Sequence, residues 1–188
     1  MIQVATPAHE TPAALRNYYL LRAGVAAAWV LAAFTVGLAN PVIGGALLIL
    51  YPAWDAVANA RDALANGGLR ANRPQALNVV VSGLVAVAVA GALTIDMHLV
   101  LGLFGGWAIL SGVLQLTVGL RRWREYGAQW AMALSGAQSA LAGGFFIFQA
   151  SGPATPSIAT VAPYAAFGAF YFLVSAIALT LKGRRKAV

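Results

Sequence analysis

Two ionisable side chains, Arg22 and Asp55, stand inside otherwise apolar stretches of this 188-residue chain. A charge at the middle of a membrane helix costs about 2.5–3.5 kcal/mol on insertion scales, so each calls for a partner or a task. Arg22 lies six residues inside Arg16, and Asp55 lies six residues before Arg61. At about 1.5 Å of rise per residue, both fall roughly 9 Å in from one flank. Equal depth on adjacent antiparallel helices predicts an intramembrane ion pair, first of all a structural latch. The alternative is snorkelling, with Arg22 reaching the interface and Asp55 meeting headgroups or Arg61.

Polar residues recur around this pair at helical spacing. Tyr51, Asp55, Asn59 and Asp62 share one face, Trp107, Ser111 and Gln115 a second, and Ser135, Gln138 and Ser139 a third. Turned inward, these stripes line a cytoplasm-facing cavity or supply hydrogen bonds between helices. The second is the simpler reading, at about 0.6 kcal/mol per bond. Pro52 predicts a kink beside Asp55, because proline removes a ladder bond and crowds the preceding turn. Asp96 and His98 bracket Met97 in a tight turn. Histidine ordinarily titrates nearest physiological pH, which makes His98 a candidate pH sensor, although a solvated turn histidine is the commoner case.

Other chemistry is scarce. The chain has no cysteine and two histidines, His9 and His98. It therefore lacks thiolate metal sites, cysteine nucleophiles and a histidine pair, and no phosphate-binding glycine loop is present. No enzymatic activity, cofactor or metal is expected. Proton transport would need carboxylates spaced across the bilayer, and no acid lies deeper in it than Asp55 until Asp96 at the far turn.

The elements that position these residues follow from composition. The chain is 61% hydrophobic and 9% charged, against about 45–50% and 25% for a soluble domain. A bilayer core takes about 20 apolar residues as a helix. Such stretches occur at 18–38, 42–60, 76–95, 97–120, 127–149 and 162–181, predicting an all-α integral membrane protein with six transmembrane helices. Residues 1–17 form an N-terminal tail, 18–181 the membrane domain, and 182–188 a basic C-terminal tail. Of twelve Lys and Arg residues, all but Arg22 fall in the tails or in the second and fourth connections. The positive-inside rule then puts both termini in the cytoplasm. A cleavable signal ending near Gly37-Leu38-Ala39 would have an overlong core containing Arg22. The basic clusters suit anionic lipid headgroups rather than nucleic acid.

Short outer turns make three hairpins, 18–60, 76–120 and 127–181, with a weak internal repeat. Their second helices carry Tyr51…Asp55-Ala56-Val57, Trp107…Ser111-Gly112-Val113 and Tyr171…Ser175-Ala176-Ile177, and their first helices carry Ala23-Gly24, Ser82-Gly83 and Ser135-Gly136. The implied bundle is pseudo-threefold. Small-residue rows permit close helix packing: Gly136, Ala140 and Gly144, then Ser135, Ser139 and Gly143, and in the third span Gly83 to Gly91 and Ser82, Ala86 and Ala90. They serve packing within one chain, with a homo-oligomer or a membrane-protein partner as the alternative.

The stretch Leu101-Gly102-Leu103-Phe104-Gly105-Gly106-Trp107-Ala108-Ile109-Leu110-Ser111-Gly112-Val113-Leu114-Gln115-Leu116, closing on Arg121-Arg122 and followed by Ser135-Gly136 and Gly143-Gly144, resembles the HdeD-like acid-resistance membrane protein family. The resemblance covers about residues 16–182. It implies a protein of a bacterial inner membrane with six helices in three repeated hairpins and a part in surviving acid or envelope stress, with no catalytic residues. The family's Arg-small-Gly and aromatic…Asp-Gly patterns read here as Arg22-Ala23-Gly24 and Tyr51…Asp55-Ala56, so Ala56 departs from the usual glycine. A non-enzymatic membrane protein acting by packing or partner binding is expected. The alternative is a small-solute or proton transporter built on a polar cavity around Asp55. A reporter enzyme fused after Val188 is expected to be active only when it works in the cytoplasm; activity on the outer side alone would refute this topology.

Overall fold

The computed structural model describes residues 11–126 and 129–185, folded into six long helices. The first ten residues of the expected N-terminal tail, with His9, and the last three of the C-terminal tail lie outside them. Helix α1 spans Pro12–Ala32 and widens into a π turn at Ala33–Gly37; α2 spans Pro41–Ala65, α3 Arg73–Ala92, α4 Met97–Tyr126, α5 Trp130–Ala150 and α6 Ile158–Arg185. All six are long and apolar enough to cross a membrane. The chain is an all-helical, multi-pass membrane protein.

Local chemistry sets the helix starts. Thr11 Oγ1 accepts from Ala14 N at 3.2 Å, with Pro12 at the first helical position. Asn40 Oδ1 caps α2 through Val42 N at 2.9 Å and Ile43 N at 3.2 Å, ahead of Pro41. Gly67 and Gly68 take φ of 93° and 89°, left-handed values that favour glycine, and Gly68 N closes the end of α2 on Ala63 O. Several helices overrun the apolar stretches that signal them. α1 begins at Pro12, α2 ends at Ala65, and α6 takes in part of the expected C-terminal tail. Apolar content marks the lipid-crossing part, whereas the backbone ladder continues beyond it, and basic residues suit helix C-termini. α2 also runs unbroken through the buried Pro52. Trp29 Nε1 donates to Leu47 O at 2.7 Å, one residue from the carbonyl that the proline leaves without its helical donor.

The outer surface is apolar, with Val42, Val87, Leu141 and Phe148 more than 70% exposed. Such a surface belongs against lipid, and the inside is the more polar part. α4 packs most extensively on α5, then α1 on α6 and α2 on α3, while α1 barely meets α2. The closest partners therefore join different hairpins, across the basic connections and across the two ends of the chain. Leu15 and Tyr19 from α1 meet Met132 from α5 and Phe172, Ala176 and Leu179 from α6, which closes the ring at the basic end.

Glycines explain the tight α4–α5 pair. A methyl group at Gly112 would lie 2.6 Å from Gly136 O, one at Gly136 2.6 Å from Leu116 N, and one at Gly143 2.5 Å from Gly105 O. Gly105, Gly112 and Gly119 recur every seven residues against Gly143, Gly136 and Ala133, the spacing of a left-handed helix seam. The expected rows are thus partly redrawn. At Gly144, Gly83 and Gly91 a methyl group would meet nothing within 4 Å. Adjacent glycines give a sharp test. Gly143→Ala is expected to cost about 1–3 kcal/mol through overpacking, and Gly144→Ala to be neutral or to stabilise by up to about 1 kcal/mol. Thermal unfolding in detergent reads the difference.

Candidate functional site

Arg22 and Asp55 meet. The Arg22 Nη2 donates to Asp55 Oδ1, and its Nη1 donates to Tyr18 Oη at 3.1 Å. The guanidinium also lies over the Phe172 ring, 4.4 Å from its centroid. Asp55 Oδ2 accepts from Asn78 Nδ2 at 2.9 Å, Ser82 Oγ at 3.0 Å and Asn59 Nδ2 at 3.1 Å. Asn59 follows Asp55 by one turn of α2, and Asn78 and Ser82 are one turn apart on α3, so helical spacing alone delivers these donors. The network reaches α4, where Trp107 Nε1 donates to Ser82 Oγ at 2.9 Å and Ser111 Oγ to Asn78 Oδ1 at 2.8 Å. One carboxylate thereby ties four helices together.

A second interior pair went unforeseen. Arg122, counted with the cytoplasmic topology signals, is 4% exposed, and its Nη2 sits 2.7 and 2.8 Å from the two oxygens of Asp62. Gln75 Nε2 adds a bond to Asp62 Oδ2 at 3.2 Å. Arg121 is engaged as well, donating to Asn72 Oδ1 at 2.8 Å, while the Asn72 amide bonds carbonyls of the turn after α2. The signal for this pair was Asp62 itself, two turns beyond Asp55 on the same stripe. Its partner was hidden in a run of arginines.

The repeat changes register. Tyr51, Trp107 and Tyr164 form an aromatic triangle with centroids 5.7, 6.2 and 6.3 Å apart. Tyr164, not the expected Tyr171, is thus the third member, and the spacings along the chain become 56 and 57 residues. Ser139 moves to the place expected for Ser135. Its Oγ meets Tyr164 Oη at 2.8 Å as Ser82 meets Trp107, and it donates to Ala108 O. In this register Arg22–Asp55, Asn78–Ser111 and Ser135–Gly168 are equivalent, each 33 residues apart. The first is ionic, the second a neutral hydrogen bond, and the third has no side chain on one partner.

A cavity of about 110 Å³ lies between these groups. Tyr51, Trp107 and Tyr164 bound it deep in the bundle, and Asp62, Gln75 and Arg122 bound it at the basic end. The polar stripes are therefore both cavity wall and hydrogen-bonding glue. Gln138 Oε1 accepts from Tyr171 Oη at 2.6 Å, Gln115 Nε2 reaches Met132 O at 3.4 Å, and Ser135 is buried on the wall. His98 lies at the other end of the bundle. Its backbone N–H donates to Asp96 Oδ1, and its Nδ1 lies 3.2 Å from Ala150 O. Bonding to a carbonyl makes Nδ1 the donor in this contact. Among the described residues no three His, Asp or Glu side chains gather as a metal would require.

Comparison with protein families, with curated proteins and with solved structures finds no match. The site must be read from its own geometry. Breaking a buried ion pair on one side leaves an uncompensated charge and costs about 3–5 kcal/mol. Arg22→Ala and Asp55→Ala are each expected to lower thermal stability on that scale, and the double variant to recover part of the loss. Strictly additive losses would show that the two charges are not coupled.

Proposed function

We propose that the chain is a non-enzymatic protein of a bacterial inner membrane, both termini cytoplasmic, related to the HdeD-like family and serving acid or envelope stress resistance. The family and the stress role rest on the resemblance of the Leu101–Arg122 stretch. The orientation rests on the distribution of basic residues, and the exposed arginines Arg61, Arg70 and Arg73 suit anionic headgroups there.

The mode of action rests on one observation: both carboxylates inside the bundle are already occupied by the chain's own donors. Asp55 takes Arg22 and three neutral donors, and Asp62 takes Arg122 and Gln75. Every oxygen of the two already accepts at least one hydrogen bond from the chain itself. Such groups hold helices together, and a packing or partner-binding role follows. The cavity supports a second reading, a protein that handles a small solute.

Purified protein in liposomes under a proton gradient is expected to leak no faster than empty vesicles. Flux abolished by Asp55→Asn would overturn the packing role in favour of transport. A strain lacking the gene is expected to survive acid challenge at high cell density less well than its parent; equal survival would remove the stress role.

A further inference from the structure

We infer that the cavity between the aromatic triangle and the Asp62–Arg122 pair is a binding site for a small uncharged amide or urea-like solute. The inference needs only binding, not flux, and stands apart from the family resemblance.

Charge decides the ligand class. Each ionisable group on the wall is cancelled in place, Arg22 by Asp55 and Arg122 by Asp62. An anion or cation entering would lose its hydration and find no uncompensated opposite charge. The remaining polar wall is made of amides and hydroxyls, which both donate and accept, among them Asn78, Ser111, Gln115, Ser135 and Gln138. Two buried atoms of wall residues have no partner, the donor Arg22 Nε and the acceptor Gln75 Oε1. A carbonyl answers the first and an amide hydrogen the second. Aromatic faces and aliphatic side chains such as Leu114, Val118 and Met132 supply the rest of the wall, which suits the planar, partly apolar body of an amide.

Size follows from volume. An apolar cavity of about 150 Å³ admits benzene. The roughly 110 Å³ here suits a solute of about four to six non-hydrogen atoms. On its wall Gly168 stands without a side chain where the other two repeats carry Asp55 and Ser111. A methyl group at Gly168 would lie 3.6 Å from Tyr51 Oη, an ordinary contact, so side-chain atoms can be added at this point of the wall.

The test uses three molecules of one shape and different charge, propionamide, propionate and propionamidinium. Each is titrated against the full chain in nanodiscs and followed by saturation-transfer NMR. Propionamide is expected to bind saturably with a dissociation constant on the order of 1–10 mM, and each ion at least tenfold more weakly. Gly168→Leu and Ala142→Phe, two independent fillings of the cavity, are each expected to weaken propionamide binding at least tenfold while melting cooperatively. If one filling prevents folding, the other carries the test. Equal or tighter binding of either ion overturns the proposal, as does binding unchanged by a folded filling variant. Saturable binding by none of the three also overturns it and makes the cavity a water pocket.

Discussion

The polar interior of this bundle is arranged around two carboxylates that lipid will not solvate. In water, Asp55 and Asp62 would be indifferent to their neighbours; between helices each must be met by enough donors to offset its lost hydration. The donors come from other helices, so satisfying the charge and assembling the bundle are one event. Asp55 gathers α1, α2 and α3 directly and α4 through Ser82 and Asn78. Asp62 holds the basic ends of α2, α3 and α4. The outer surface contributes no comparable specificity, because lipid tails are as apolar as the side chains that face them.

The threefold repeat shows how such an interior is varied. Three equivalent pairs, each with its two members 33 residues apart, carry an ion pair, an Asn–Ser hydrogen bond and a Ser–Gly combination. The scaffold is kept by features that need no charge: the aromatic triangle, the serines bonded to Trp107 and Tyr164, and the glycine seam between α4 and α5. From the first repeat to the third the contact between side chains passes from ionic to neutral to none, and Gly168 of the third lines the cavity.

Much of the fold could be read from residue order. Length and hydropathy give six helices because a bilayer core demands about 20 apolar residues. The Arg22–Asp55 contact follows from equal distances to basic flanks, since helical rise converts sequence distance to depth. Three features escaped for physical reasons. Arg122 sits in Arg121-Arg122-Trp123-Arg124, where composition cannot tell a buried guanidinium from one in solvent. Tyr171 imitates Tyr164 two turns away, and only the ring contacts decide between them. The glycine seam was half visible: Gly136 and Gly143 stood in the expected rows, whereas Gly105, Gly112 and Gly119 gain meaning only once α4 is known to lie against α5.

The central claim is that the interior carboxylates act as interhelical clamps. It is tested most directly by the coupling free energy between Asp62 and Arg122, measured by reversible unfolding in a bilayer for both alanine variants and the double variant. The clamp predicts a coupling of about 1 kcal/mol or more, since the second substitution removes a charge that the first has stranded. A coupling indistinguishable from zero would contradict it and leave the bundle to packing alone.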